Sequence, residues 1–147
     1  MPASVAILAP GVNAFRRLRK NLTEPVFNSW GYNTRSAALR IPCSDESNRR
    51  IEYRLAGADA NPYLVVATIL TGMLYGLEHI DEGDLPEPQH DQPELPLFQQ
   101  EAIEAFARCQ YLTDSLGDAF SEQWVACKLS ELDWFERIVT QEESHLA

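Results

Sequence analysis

The sequence predicts an α+β fold, with a few antiparallel strands packed against helices. Segments 35–42 (RSAALRIP) and 50–55 (RIEYRL) alternate apolar and polar residues with the period of strands, on either side of a polar turn. From residue 62 onward the chain reads as helix: one long apolar segment, then two stretches with apolar residues at helical spacing.

In chain order, residues 12–20 (VNAFRRLRK) form a short basic helix with Val12, Phe15 and Leu18 on one face. Residues 21–34 are loop-like, with Pro25, Gly31 and several Asn. In the first strand Ala37, Leu39 and Ile41 point one way and Ser36, Ala38 and Arg40 the other, and Pro42 ends it. CSDESN (43–48) is the turn. In the second strand Ile51, Tyr53 and Leu55 face the core, while Arg50, Glu52 and Arg54 share the other face at steps of about 7 Å. Asn61 is a good N-cap and Pro62 suits the first helical position. The helix over 62–78 is apolar on nearly all sides, which predicts burial. Residues 81–96 are acidic with four prolines and read as an exposed loop. Helices over 97–112 and 120–139 follow. Leu116 and Gly117 lie in the turn between them, and Phe120, Trp124, Cys127, Trp134, Phe135 and Ile138 fall mostly on one side of the second.

The 147 residues suffice for one domain with a core. The first ten lack the basic start and length of a signal peptide, and the longest uncharged apolar run, 62–77, is too short to span a bilayer. The expectation is a cytoplasmic protein without a membrane partner. Cys43, Cys109 and Cys127 are odd in number and widely spaced, with no zinc pattern or disulfide framework, so reduced, mostly buried thiols are expected. Net charge is -10, yet residues 1–54 hold nine Lys/Arg against four Asp/Glu. An acidic chain with one arginine-rich third is a poor general nucleic-acid binder and a reasonable binder of a small polyanion such as a nucleotide or carboxylate.

Chemistry concentrates in residues 35–54, which carry five arginines and, on strand-like sequence, the isolated acid Glu52. On spacing alone Glu52 has two readings. It is the acid of an ion-pair ladder with Arg50 and Arg54, the commoner arrangement on sheets. Or it is an oxygen ligand for a hard cation beside arginines that grip phosphate, a combination phosphoryl transfer needs.

RSAALRIP, then RRIEYRLAGADANPYL, then a long apolar helix ending GMLYGLE, resembles the C-terminal half of the glutamine synthetase catalytic domain. The resemblance is specific from about Ala9 to Leu77. It continues more weakly through LGDAF and ACKLSELDWFERIVT to about Thr140. Trp30-Gly31 resembles the subgroup that joins glutamate to polyamines or other amines. The resemblance implies a ligase that uses ATP and Mg²⁺ or Mn²⁺ to phosphorylate the side-chain carboxylate of glutamate, after which an amine or ammonia displaces phosphate. It implies that Glu52 is a metal ligand, that Arg35 contacts the phosphate in transfer, and that Arg40 and Arg50 lie on the ATP side. Arg17 and Arg54 would hold the glutamate carboxylates.

The family's loop glutamate falls on Thr23, with Glu24 one residue off, which fits an amine other than ammonia or a lost activity. The family's N-terminal domain and the first half of its catalytic domain are expected to be absent, so that residues 1–147 are a C-terminal portion. The family also implies homo-oligomers. The alternative to a ligase fragment is a non-catalytic remnant or assembly module that packs with full-length subunits.

Overall fold

The computed structural model describes residues 1–19, 24–79 and 93–138. A 3-10 turn over Pro2–Ser4 leads into α1 (Val5–Leu8), and α2 (Val12–Phe15) follows. Three short strands come next, β1 (Trp30–Tyr32), β2 (Leu39–Ile41) and β3 (Glu52–Tyr53). The helices α3 (Pro62–His79), α4 (Gln99–Arg108), α5 (Gln110–Leu116) and α6 (Asp118–Glu136) complete the described chain.

The sheet runs β1-β2-β3. β2 and β3 are antiparallel, with Leu39 opposite Tyr53 and Arg40 opposite Glu52, as the alternating pattern predicts. β1 was not anticipated. It lies inside the segment read as a loop and pairs with β2 in parallel, so the sheet is mixed rather than antiparallel. Asn33 makes the return possible: it sits in the left-handed region at φ 52°, and its N–H donates to the Ile41 carbonyl at 2.8 Å. The strands are also shorter than their sequence patterns. Ala37 and Ala38 are both buried, which strict alternation would forbid, and Ile51 is 68% exposed rather than in the core.

The core is built around the first helix, which the sequence reading passed over. Val5, Ile7 and Leu8 are fully buried, together with Leu55, Leu95 and Phe106. Phe15 joins them from the basic helix, which ends earlier than expected, at Phe15, and Leu18 joins them from the turn that follows. Leu95 is 2% exposed and Phe27 bridges Glu94, so the end of the proline-acid segment is anchored, not free. Residues 81–92 of that segment lie outside the described residues, as do Thr23 and the chain beyond Ile138.

The predicted helix over 97–112 is two helices, because the backbone leaves the helical region at Cys109, where ψ is 85°. Gly117, at φ 90°, makes the turn into α6 that only glycine takes without strain. On α6, Phe120 and Trp124 stack at 5.7 Å and pack on the core. Trp134 and Cys127 are exposed, so the apolar side of this helix is only partly covered. Among the three cysteines all thiols are free, but Cys43 and Cys127 are exposed and Cys109 half-buried, contrary to the expectation of burial.

α3 starts as predicted. Asn61 Oδ1 accepts from the Tyr63 N–H at 3.0 Å, and Pro62 opens the helix. Asn61→Ala is expected to cost about 1 kcal/mol and Asn61→Asp almost nothing, measured by urea unfolding followed by circular dichroism. The helix is not buried all round, however. Only Thr68 is buried, while Tyr63, Leu70, Met73 and Leu77 are more than half exposed. The composition of the helix demands cover on both faces, and within the described chain only one face receives it.

Candidate active site

The arginine-rich face is assembled by the β2–β3 pair. Residues directly opposite in an antiparallel pair project to the same face, and the register sets Arg40 against Glu52. Arg40 Nη1 donates to Glu52 Oε2 at 2.9 Å, and Arg50 Nη2 donates to Oε1 at 3.1 Å. Glu52 is therefore clasped by two arginines, one on each oxygen. The predicted ladder had Arg50 and Arg54 as the partners. Arg54 instead turns to the 35–38 loop, where its guanidinium donates to the carbonyls of Arg35 and of Ala37, the latter at 3.1 Å. Its own N–H donates to Ala38 at 2.9 Å.

Two further contacts fix the frame. Asn33, whose left-handed backbone closes the β1 return, accepts from Arg40 Nη2 at 3.0 Å. Arg17 reaches from the end of α2 to the Leu55 carbonyl and to Glu24 Oε2, the latter at 3.2 Å. A side chain on Gly57 would collide with the Asp59 carboxylate beside Arg17, so glycine leaves this approach open. Tyr53, on the inner face of β3, exchanges a 2.7 Å hydrogen bond with Ser4 and ties the sheet to the first turn. Burial pushes the Tyr53 hydroxyl above its ordinary value, and the Ser4 bond partly offsets this.

Electrostatics follow from this geometry. Partial desolvation opposes ionisation of Glu52, but the hydrogen bonds and charges of Arg40 and then Arg50 outweigh it. The carboxyl is held below its ordinary value of 4.5. Arg40 is the fixed member of the clasp, with its side chain 22% exposed, and Arg50 is the open one at 54%. Arg17 Nε and Arg40 Nε are buried with no hydrogen-bond partner among the described residues.

Of the residues singled out from sequence, Arg40, Arg50 and Glu52 touch one another. Arg17 and Arg54 are anchored separately, Arg17 on the Leu55 carbonyl and Arg54 on the carbonyls of Arg35 and Ala37, and Arg35 itself is exposed. Asn33 and Glu24 were missed as supports. Asn33 carried one signal, an asparagine directly after a possible strand, a residue type that tolerates the left-handed region. Among the described residues no three of His, Cys, Asp and Glu converge. The donor set suits a hard cation, but Glu52 supplies one oxygen ligand and the rest would come from elsewhere. An open groove of about 770 Å³ between α2, α4 and α6, lined by Phe15, Leu18, Phe98, Leu132 and Phe135, lies apart from these residues.

Likeness to known proteins extends over nearly the whole chain: residues 1–146 match the family described as glutamine synthetase, catalytic domain. The chain belongs to that family. Gamma-glutamylputrescine synthetase PuuA of Escherichia coli (strain K12) is 44% identical over 97% of this chain and 31% of its own length. Lengsin of Mus musculus is 36% identical over 86% of the chain and 24% of its own, and glutamine synthetase of Pyrococcus woesei is 31% identical over 98% and 35%. A solved structure, apo GmaS without ligand, shares the fold with a TM-score of 0.80 at 28% identity, covering 98% of this chain and 34% of that one. The chain thus spans about a third or less of the length of these relatives. Among the described residues no helix is long and apolar enough to cross a membrane.

Proposed function

We propose that residues 1–147 are the C-terminal portion of the catalytic domain of an ATP-dependent ligase. The reaction joins the side-chain carboxylate of glutamate to an amine through γ-glutamyl phosphate. The Arg40–Glu52–Arg50 clasp carries the reading, in a chain 44% identical to a gamma-glutamylputrescine synthetase.

Phosphoryl transfer asks the protein for position and for positive charge around the moving group. Arginine forks suit this because they stay charged and bind phosphate or carboxylate in a bidentate way. Arg40, held by Asn33, is preset for the ATP phosphates, and Arg50, more exposed, can leave Glu52 and join it. Arg35, which is exposed, would reach the phosphate in transfer. Arg17 and Arg54, anchored on backbone carbonyls, would orient the glutamate substrate. Glu52 would hold one Mg²⁺ or Mn²⁺, which when bound neutralises charge on the transferring phosphate. Glu52 stays ionised well below neutral pH, so it is ready for this role. The family's soluble, oligomeric working form in the cytoplasm is part of the same proposal.

A chimera tests it. This chain would replace the 31% of E. coli gamma-glutamylputrescine synthetase that it matches. The chimera is expected to release phosphate from ATP in a glutamate- and amine-dependent way, and to prefer putrescine to ammonia. A soluble, well-folded chimera with no amine-dependent phosphate release would refute the ligase reading. A preference for ammonia would correct the amine.

A further inference from the structure

Arg17 is already holding a carboxylate. Its Nη1 donates to Glu24 Oε2 at 3.2 Å, and its Nη2 donates to the Leu55 carbonyl. The carbonyl fixes where the guanidinium lies, and its charge is met by the side-chain carboxylate of a glutamate. That is the same chemical group as the one the proposed reaction asks Arg17 to bind. Arg40 and Arg50 are placed differently, because both share Glu52.

The geometry lets the pair come apart readily. The side chains of Arg17 and Glu24 are 28% and 32% exposed, so water and small solutes reach both. An ion pair in this setting is weak, because solvent competes for each charge. The backbone behind Glu24 is fixed by the core: Pro25 and Val26 are buried, and the Val26 carbonyl accepts from the Leu95 N–H at 2.8 Å. Release of Arg17 therefore needs only rotation about the side-chain bonds of Glu24. On the other flank a Cβ at Gly57 would stand 3.6 Å from Arg17 Nη2, so glycine leaves room beside the guanidinium. A tethered carboxylate acts at an effective concentration on the order of millimolar, within reach of a free competitor.

We infer that Glu24 is a built-in competitor for the carboxylate site of Arg17. It pairs with the guanidinium while glutamate is absent and turns away when the substrate carboxylate arrives, and so it sets the affinity for glutamate. The exchange is carboxylate for carboxylate, so Arg17 has a counter-charge before and after it. The inference rests on the reading above that Arg17 takes a glutamate carboxylate. A competitor and a mere support of Arg17 differ in sign: removing a support weakens glutamate binding, and removing a competitor strengthens it.

Titration of the 147-residue chain with L-glutamate tests this, followed by nuclear magnetic resonance at the Arg17 side chain and the backbone amides of residues 55–57. Glu24→Gln is expected to lower the Kd for glutamate about two- to fivefold, the factor that an exposed ion pair corresponds to. Glu24→Ala should do the same, and it keeps the test open if one variant misfolds by circular dichroism. Arg17→Met should abolish the shifts at 55–57. Glu46→Gln removes the same charge from an exposed pair with Arg49 and should leave the Kd unchanged. A Kd that rises in the Glu24 variants would make Glu24 a support and overturn the inference. So would an unchanged Kd, an equal fall in Glu46→Gln, or no glutamate binding in any variant. The chimera separates this from the ligase reading. Turnover in the chimera with an unchanged Kd in Glu24→Gln overturns the present inference alone. Tighter glutamate binding in Glu24→Gln beside a chimera without turnover refutes the ligase reading alone.

Discussion

Glu52→Ala and Glu52→Gln are both expected to lower the turnover of the chimera by about 10²–10³-fold, the scale seen when one preorganised group for transition-state charge is lost. The two substitutions separate the roles open to this residue. As the acid of an arginine clasp, Glu52 needs only to accept hydrogen bonds from Arg40 and Arg50. Glutamine keeps one acceptor oxygen for one of the two arginines and turns its NH2 toward the other, so it would keep part of that function where alanine keeps none. As a cation ligand beside phosphate, it needs its negative charge, and glutamine fails as alanine does. Phosphate release at saturating Mn²⁺ and the melting temperature should be measured together. Loss of turnover in both variants with a near-unchanged melting temperature supports the ligand role. Near-normal turnover in Glu52→Gln would return Glu52 to the ion-pair reading.

The pH behaviour has a definite sign. The carboxyl of Glu52 is held below 4.5 in the folded state by its arginines, against the opposing effect of desolvation. A lowered value means its contribution to stability is fully present above the unfolded value and is lost as pH falls through the folded one. At neutral pH the clasp is therefore complete. Any loss of activity between pH 6 and 8 must come from another group.

Local rules made part of this legible in the sequence. The β2–β3 pairing followed from two alternating segments around a polar turn, and it placed Arg40 and Glu52 on one face. Asn61 and Gly117 were readable because a cap and a left-handed turn each demand particular residue types. What failed was set by tertiary partners. α1 is four residues long, too short for any periodicity, yet it is the centre of the core. β1 is three residues whose pairing exists only because Asn33 turns the chain back. Arg54 was assigned to Glu52 by strand spacing alone. The loop carbonyls of Arg35 and Ala37 took it instead, because an exposed-side arginine goes to whichever acceptors the neighbouring loop presents. The apolar composition of α3 correctly announced a need for burial but not which surface would provide it.

Phe106→Ala is expected to destabilise the chain by about 3–5 kcal/mol, the range for truncating a fully buried aromatic residue. Phe106 on α4 is 0% exposed and belongs to the cluster that includes Val5, Leu8, Leu55 and Leu112. Its removal leaves a cavity where α1 meets α4, and α4 cannot close it without disturbing its packing on the first turn and on α6. Native domains are stable by only about 5–15 kcal/mol, so the change consumes much of what is available. The melting temperature should fall by roughly 10 °C or more. Phe98→Ala is the matched control: that side chain is 68% exposed, and the expected change is within about 0.5 kcal/mol. The effect should also reach Arg17. Leu55 belongs to the same cluster, its carbonyl holds Arg17, and the Gly57 N–H beside it donates to Leu8 of α1 at 2.8 Å. A loosened core therefore frees Arg17 before it frees Arg40, whose supports are the sheet and Asn33. In the chimera at a temperature where Phe106→Ala is still folded, the KM for glutamate should rise more than the KM for ATP. Denaturant unfolding of the chain and the two KM values check the two parts separately. A loss of stability below 1 kcal/mol would show that α1 and α4 do not share the core described above, and equal rises in both KM values would show that Arg17 does not depend on it.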